Sequence, residues 1–373
     1  MTIHAWHYGT REPVEVRCED GMIVDVRASS AVPSENLWLA PALFDAQVNG
    51  FGGVDFQQDD LTADDLLRAV RGIREAGCSR FLLTLITNEW KKLTARLRHL
   101  REVRNSSPEL RRAIAGWHIE GPFLSSEPGF HGTHNPTFTR DPSAEMLSEF
   151  RAITGDDPLL LTVAPERAGA IAAIETATCL GIKISLGHTN ASAQVIGQAI
   201  RAGARAFTHL ANGCPRDLDR HDNIVWRVVE TSGLTVSLIP DQIHVSPALF
   251  RILHRLLPSE SIFYVSDAMS AAGMPPGQYK LGALELEVGP DQVVRQPGKL
   301  LFAGSALRPI DGIMRAAEML GCVWQDVWPR FSDVPARLMG LASGIVVGQP
   351  ANLCVLEFER GNELRNLRVL NTE

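Results

Sequence analysis

The sequence predicts an α/β fold, a (β/α)8 barrel carrying a small β-sandwich domain formed by both termini. Two patterns predict it. Strand-length apolar runs alternate with helical patterns through the middle of the chain, and short alternating runs flank them at each end. A third observation says where a site would lie: nearly every apolar run of the middle region stops at an unusual polar residue. In a parallel barrel the carboxyl ends of the strands share one face, and barrel enzymes build their sites there.

The ends come first. Val14-Glu15-Val16-Arg17-Cys18 alternates, Glu19-Asp20-Gly21 turns, and Met22-Ile23-Val24-Asp25-Val26 runs on, which is a hairpin pattern. Near the other end 344–348, the turn Gln349-Pro350 and 351–357 suggest strand, turn, strand. Residues 1–40 and 342–373 are therefore expected to pair into one β-domain, leaving 41–341 for the barrel. Within that stretch strand-length apolar runs fall at about 42–49, 80–87, 113–120, 159–165, 183–188, 205–210, 235–240 and 262–267. A helix opens at Thr62-Ala63-Asp64-Asp65, where Thr62 caps and Asp65 sits three residues on. Leu66, Leu67, Val70 and Ile73 share its apolar face, and Gly77 closes it. Residues 168–181, 192–203 and 246–257 have the same character. The doubly wound open sheet lacks its Gly-x-Gly-x-x-Gly turn after the first run. Residues 270–301, rich in Gly and Pro, are expected to be an irregular excursion after the eighth strand.

Bulk properties narrow the function. With 373 residues, 45% of them apolar and 21% charged, the chain can bury a large core and is not disordered. A formal net charge of −7 gives no global basic field, so nucleic acid is not expected as the main partner. Six cysteines lie far apart with no Cys-x-x-Cys pair, which argues against a disulfide framework and a thiolate zinc site. The first residues lack a basic and an apolar leader segment, and no apolar run approaches the ~20 residues that span a bilayer. A soluble cytoplasmic protein is expected.

The strand ends carry the chemistry. The third run delivers His118-Ile119-Glu120 before a Gly-Pro break, so His118 and Glu120 share one face. The fifth ends in Gly187-His188 and the sixth in Thr208-His209. A single strand-end His is more often structural, but two on neighbouring strands beside a Glu make a His₂-carboxylate set with room for water on a bound ion. The eighth run ends at Asp267, where a general base would take a proton from that water and pass it to a leaving amine.

At this point the chain resembles the N-acetylglucosamine-6-phosphate deacetylase family of the metal-dependent amidohydrolase superfamily, from about Ala40 to Glu357. The resemblance rests on Pro41–Gly50, His118-Ile119-Glu120-Gly121-Pro122-Phe123, Gly132-Thr133-His134-Asn135-Pro136, Gly187-His188-Thr189-Asn190-Ala191, Thr208-His209-Leu210-Ala211-Asn212, Asp241-Gln242-Ile243-His244-Val245 and Ser266-Asp267-Ala268-Met269. It implies Glu120, His188 and His209 as ligands of one divalent ion, zinc being expected, with Asp267 as acid/base. It implies that His134 helps polarise the acetyl carbonyl and that Thr133, Asn212, Gly213 and His244 touch substrate. Asp241, Phe302, Ala303 and Gly304 complete the expected substrate side. Arg220 is expected to reach the sugar phosphate in the neighbouring site of a homodimer.

Departures from the family pattern cluster on the substrate side. Gln47-x-Asn49 stands where many superfamily members have His-x-His, and amides are poorer zinc ligands, so one metal is expected. Asp217, Asp219 and Asp222 flank Arg220 and weaken an anion site there, leaving Arg216 and His221 as alternative cations. Pro128-Gly129-Phe130-His131 replaces the family's lysines. The same hydrolysis of an unphosphorylated N-acetyl sugar or another N-acyl substrate is the alternative reading.

Overall fold

The eight apolar runs of the middle region become eight parallel strands that neighbour one another in chain order: Leu43–Val48, Cys78–Ile86, Ile114–Glu120, Leu159–Val163, Lys183–Leu186, Ala206–Phe207, Thr235–Leu238 and Ile262–Tyr264. They belong to a computed structural model that describes residues 1–34, 36–298, 302–359 and 363–370. Residues 299–301 of the expected excursion, and 360–362 and 371–373 of the C-terminal segment, lie outside the described residues.

The strand interior is layered. Phe44, Ala46, Leu82, Leu160, Ala206 and Phe263 pack into one apolar cluster, contributed by alternate residues of five strands. One step further along the barrel the inner face turns polar. His118 Nε2 lies 2.8 Å from Thr162 Oγ1, Thr162 and Thr208 hydroxyls pair at 2.8 Å, and Ser185 Oγ joins Thr208 at 2.6 Å. The next layer is Glu120. The opposite faces of the strands, with Trp117, Ile119, Leu161 and Ile184, pack against the surrounding helices in the main core.

The first and eighth strands meet differently. Their regular ladder is replaced by a single parallel bridge, Val48 to Ala268, and by Asn49 N donating to Ala268 O at 2.7 Å. Below it Asp45 accepts the Ser266 amide on both oxygens at 3.2 Å and the Gln47 amide at 3.2 Å. Asp45 is fully buried and has no cationic partner among the described residues. Burial pushes its carboxyl up to about 7, against the lowering effect of the Ser266 and Gln47 hydrogen bonds.

Both termini contribute to a separate six-stranded sheet. Its order is Leu364–Leu370, Leu353–Phe358, Leu37–Pro41, Thr2–His7, Pro13–Glu19, Met22–Ala28. The N-terminal hairpin forms where the alternation predicts it. Residues 344–348 do not form the predicted strand; Gly344 and Gly348 take left-handed φ values of 101° and 83° and the segment turns instead. The helix from Ala63 to Glu75 carries the predicted cap: Thr62 accepts the Asp65 amide while Asp65 accepts that of Thr62.

The excursion is more ordered than its composition suggests. Gly277–Leu281, Leu284–Val288 and Val294–Arg295 form a three-stranded antiparallel ribbon. Leu281, Leu286, Val288 and Val294 pack on Met269, Ala271, Ala303 and Ala306. Two hydrogen bonds tie the ribbon to the barrel, Gly282 N to Asp55 Oδ2 and Ser270 Oγ to Lys280 O, each 2.7 Å. The signal was present in the alternation of Leu284-Glu285-Leu286-Glu287-Val288. Among the described residues no helix is long and apolar enough to cross a membrane.

Asp45 yields a stability prediction. Its folded pKa of about 7 lies above the ordinary carboxyl value, so the folded state holds a proton that the unfolded chain has released. Its contribution is present at acid pH and is lost as pH rises towards about 7. Asp45→Asn, which keeps the acceptor and cannot ionise, is expected to gain melting temperature relative to wild type as pH goes from 5 to 8. Melting curves that stay parallel across that range would contradict the assignment.

Candidate active site

Three strand ends converge on one carboxylate. Glu120 ends the third strand and is only 3% exposed. His209 Nε2 lies 2.8 Å and His188 Nε2 3.2 Å from the same oxygen, Glu120 Oε1. His134, from the loop after the third strand, brings its Nε2 to 3.9 Å from Glu120 Oε2. No lysine or arginine pairs with Glu120 among the described residues. Burial alone would push its carboxyl up, but the hydrogen bonds from His188 and His209 hold it well below the usual carboxylate range. In return Glu120 outweighs burial at His209 and raises that imidazole, whereas burial keeps His134 down at about 3 and His118 at about 4.

This donor set fits a divalent ion. Ligand atoms ~2.05 Å from a tetrahedral zinc lie ~3.3 Å from one another. His188 Nε2 and His209 Nε2 lie 3.2 and 2.8 Å from Glu120 Oε1, near that spacing. The group whose ligand atoms all lie within 4.8 Å of one another is Glu120, His134 and His188. Four groups thus surround the position, and hydrogen bonds at the far ring nitrogens sort them. His188 Nδ1 donates to Phe130 O at 2.9 Å, which leaves Nε2 bare for a cation. His134 Nδ1 sits 3.0 Å from Thr87 Oγ1, and Thr87 also lies 3.2 Å from Glu120 O. Thr87 Oγ1 donates to the Glu120 carbonyl, which can only accept, and both contacts are met when His134 Nδ1–H donates to Thr87 Oγ1, leaving His134 Nε2 bare beside Glu120. His209 keeps a buried Nδ1 without a protein partner among the described residues.

Backbone geometry marks the same residues. His188, His209 and Asp267 have φ of 50°, 32° and 51°, in the left-handed region that side chains other than glycine rarely adopt. Such strain persists where surrounding contacts over-determine it and clusters at functional sites. Glycines make room for His188: a Cβ on Gly213 would lie 2.8 Å from its Nδ1, and one on Gly132 would lie 3.0 Å from its Cε1.

Asp267 follows the eighth strand and faces the cluster. Gln47 Nε2 and Asn49 Nδ2 both donate to its Oδ1, at 3.0 and 2.7 Å, and Oδ2 accepts nothing among the described residues. Burial first, and the charge of Glu120 second, push its carboxyl up to about 6. The Gln-x-Asn pair of the first strand therefore holds the acid in place.

A cavity of about 860 Å³ opens over these groups. Of the residues singled out in the sequence, Glu120, Thr133, His134, His188, His209, Asn212, Gly213, His244, Asp267, Phe302 and Gly304 border it. Three do not. Ala303 is buried behind its neighbours, and Asp241 sits behind His244, accepting its Nδ1–H at 2.6 Å and its backbone amide at 2.8 Å. Arg220 is exposed and borders no part of its own chain's cavity. Arg216 and Arg295 border it instead. Arg295 had no motif to reveal it, because only the folding of the ribbon brings it to the rim. Thr87 and Asp45 were equally hidden; parity with Gln47 and Asn49 was the one signal for Asp45.

Comparison with known proteins agrees with this geometry. No family model matches the chain. The N-acetylglucosamine-6-phosphate deacetylase of Danio rerio is 31% identical over 346 residues, 88% of this chain and 83% of that protein. That of Bos taurus is 32% identical over 313 residues, covering 81% and 75%. Among solved structures, an aspartate-to-alanine mutant of N-acetyl-D-glucosamine-6-phosphate deacetylase from Mycobacterium smegmatis, in complex with N-acetyl-D-glucosamine-6-phosphate, is 30% identical with a TM-score of 0.83 over 94% of each chain.

The cradle around His188 can be tested. Gly213→Ala places a methyl group against the imidazole and forces an L side chain to φ of 61°. It is expected to weaken divalent-ion affinity by ~10-fold or more, as other changes to the support of a ligand do. Competition with a chromophoric chelator measures this, and an unchanged affinity would show that His188 does not need the space.

Proposed function

Since the chain belongs to the N-acetylglucosamine-6-phosphate deacetylase family, we propose that it hydrolyses N-acetylglucosamine 6-phosphate to glucosamine 6-phosphate and acetate with one divalent ion, zinc, held by Glu120, His188 and His209. The observation that carries this is the buried carboxylate between two imidazoles, with a second acid, Asp267, poised at the same cavity.

A bound ion supplies Lewis acidity, lowering the pKa of water to about 7 in favourable zinc sites and drawing charge from a carbonyl oxygen. The protein supplies the rest. Asp267 takes the proton of the attacking water on Oδ2, the oxygen that Gln47 and Asn49 leave free. His134 borders the same cavity beside Glu120 and, as the family resemblance implies, helps polarise the acetyl carbonyl. Asp267 then delivers its proton to the amine nitrogen while the C–N bond breaks, and acetate leaves. Thr133, Asn212, Gly213 and His244 hold the sugar, with Phe302 and Gly304 beside them. Asp241 keeps His244 in one tautomer, its Nδ1–H bound and its Nε2 free to accept. Ala303 supports this wall from behind.

A homodimer goes with this reading. Arg220 is exposed and does not border its own chain's cavity, which leaves it available to the cavity of another copy. The adjoining helix Ile224–Glu230 presents Trp226 40% exposed, an apolar contact for such a copy. The unphosphorylated sugar is the second reading, favoured by the three acids around Arg220.

Two outcomes are expected. Asp267→Asn is expected to lose ~10²-fold or more in kcat while it still binds its ion, as fits removal of a general acid/base; a variant that keeps most of its turnover would remove Asp267 from the mechanism. Elemental analysis is expected to give one tightly bound ion per chain, and chelation to abolish acetate release until zinc is returned. Two tightly bound ions would mean that Gln47 and Asn49 help hold a second.

A further inference from the structure

Two guanidinium groups on the cavity wall have no part in the acetamide chemistry. Arg216 lies in the loop after the sixth strand, and Arg295 ends the three-stranded ribbon. Arg216 is exposed and forms no side-chain hydrogen bond or ion pair among the described residues. Arg295 is held on one edge by Asp291, with Nη2 at 2.7 Å from Oδ2 and Nη1 at 3.3 Å from Oδ1. Its Nε–H edge has no partner among the described residues, and that edge can take a second oxyanion.

Both arginines are joined to segments that border the sugar. Arg295 bridges Phe302 through the backbone, and the Phe302 ring lies 5.2 Å from that of His244. On the other segment, Gly129 packs so closely on Pro215 that a Cβ would lie 2.6 Å from Pro215 Cγ. The residue before Arg216 is thereby docked on the loop that carries Thr133 and His134. The two carboxylates that border the cavity, Glu120 and Asp267, are both buried. An anion at the rim therefore meets two guanidinium groups, Arg216 free of any side-chain partner among the described residues and Arg295 sharing its charge with the exposed Asp291 through one edge only. Arg220, by contrast, stands outside this wall.

Resting on the deacetylase reading above, we propose that Arg216 and Arg295 bind the phosphate of the sugar phosphate within the same chain, so that each cavity carries its own phosphate-ester site in addition to Arg220 of a second copy. A planar guanidinium offers paired donors to phosphate oxygens.

The test compares N-acetylglucosamine 6-phosphate with N-acetylglucosamine on the metal-loaded enzyme. Wild type is expected to favour the phosphate ester in kcat/KM. Arg216→Ala and Arg295→Ala are each expected to raise KM for the ester about tenfold, with kcat within about threefold and the unphosphorylated sugar unaffected. Competitive inhibition by inorganic phosphate weakens in parallel. Arg295→Lys keeps the charge but not the fork and recovers part of the loss, which separates anion binding from damage to the ribbon. If wild type favours the ester but both alanine variants keep that preference, the same-chain site is wrong and the deacetylase reading stands. If Arg220→Ala alone removes the preference, the anchor comes from the partner and this proposal fails. If wild type treats the two sugars alike, the phosphorylated substrate itself is wrong.

Discussion

A carboxylate almost wholly buried at the floor of the cavity dictates most of this architecture. Among the described residues Glu120 has no lysine or arginine beside it, and an isolated charge in such a place is very costly. Imidazoles meet the need only if each is fixed in turn. His188 requires the Phe130 carbonyl and two glycines at van der Waals distance, and His134 requires Thr87. The ring of demands spreads from one oxygen to the third, fifth and sixth strands and the loop between them. A cation answers that demand better than any arrangement of neutral side chains, and so the site and the fold share one requirement.

The second constraint is the join between the first and last barrel strands. Regular pairing stops there, and side chains take over: Asp45 grips the Ser266 amide, while Gln47 and Asn49 grip Asp267. Residues that in a two-metal site would be ligands have become supports for the acid. Closure of the cylinder and placement of the proton-transferring group are thus a single set of contacts. Asp241 and His244 repeat the idea after the seventh strand, where the charge and hydrogen bonds of the neighbouring His244 outweigh burial and hold the acid below its usual range.

Much of this was legible in the sequence. The period of the apolar runs predicts all eight barrel strands, and their polar termini predict Glu120, His188, His209 and Asp267, because a residue at a strand end has its position set by topology alone. The strand at 344–348 failed because two glycines with left-handed backbone outweighed three β-branched residues. The ribbon between Gly277 and Arg295 was hidden behind its Gly and Pro content, and with it Arg295. Arg220 matched a motif, but a motif fixes order along the chain and not which cavity a long side chain enters. The support of His134 by Thr87 was invisible for a related reason: it joins a loop to a strand more than forty residues away.

The twisted backbone at His188, His209 and Asp267 has an evolutionary corollary. Each of these positions would relax if it held glycine, by on the order of 1 kcal/mol apiece, and each would then be chemically silent. Here robustness and turnover pull in opposite directions at the same three codons. Selection for heat resistance must therefore work elsewhere, on helix surfaces and loop lengths, while the mouth of the cylinder stays locked in a conformation that only its chemistry justifies.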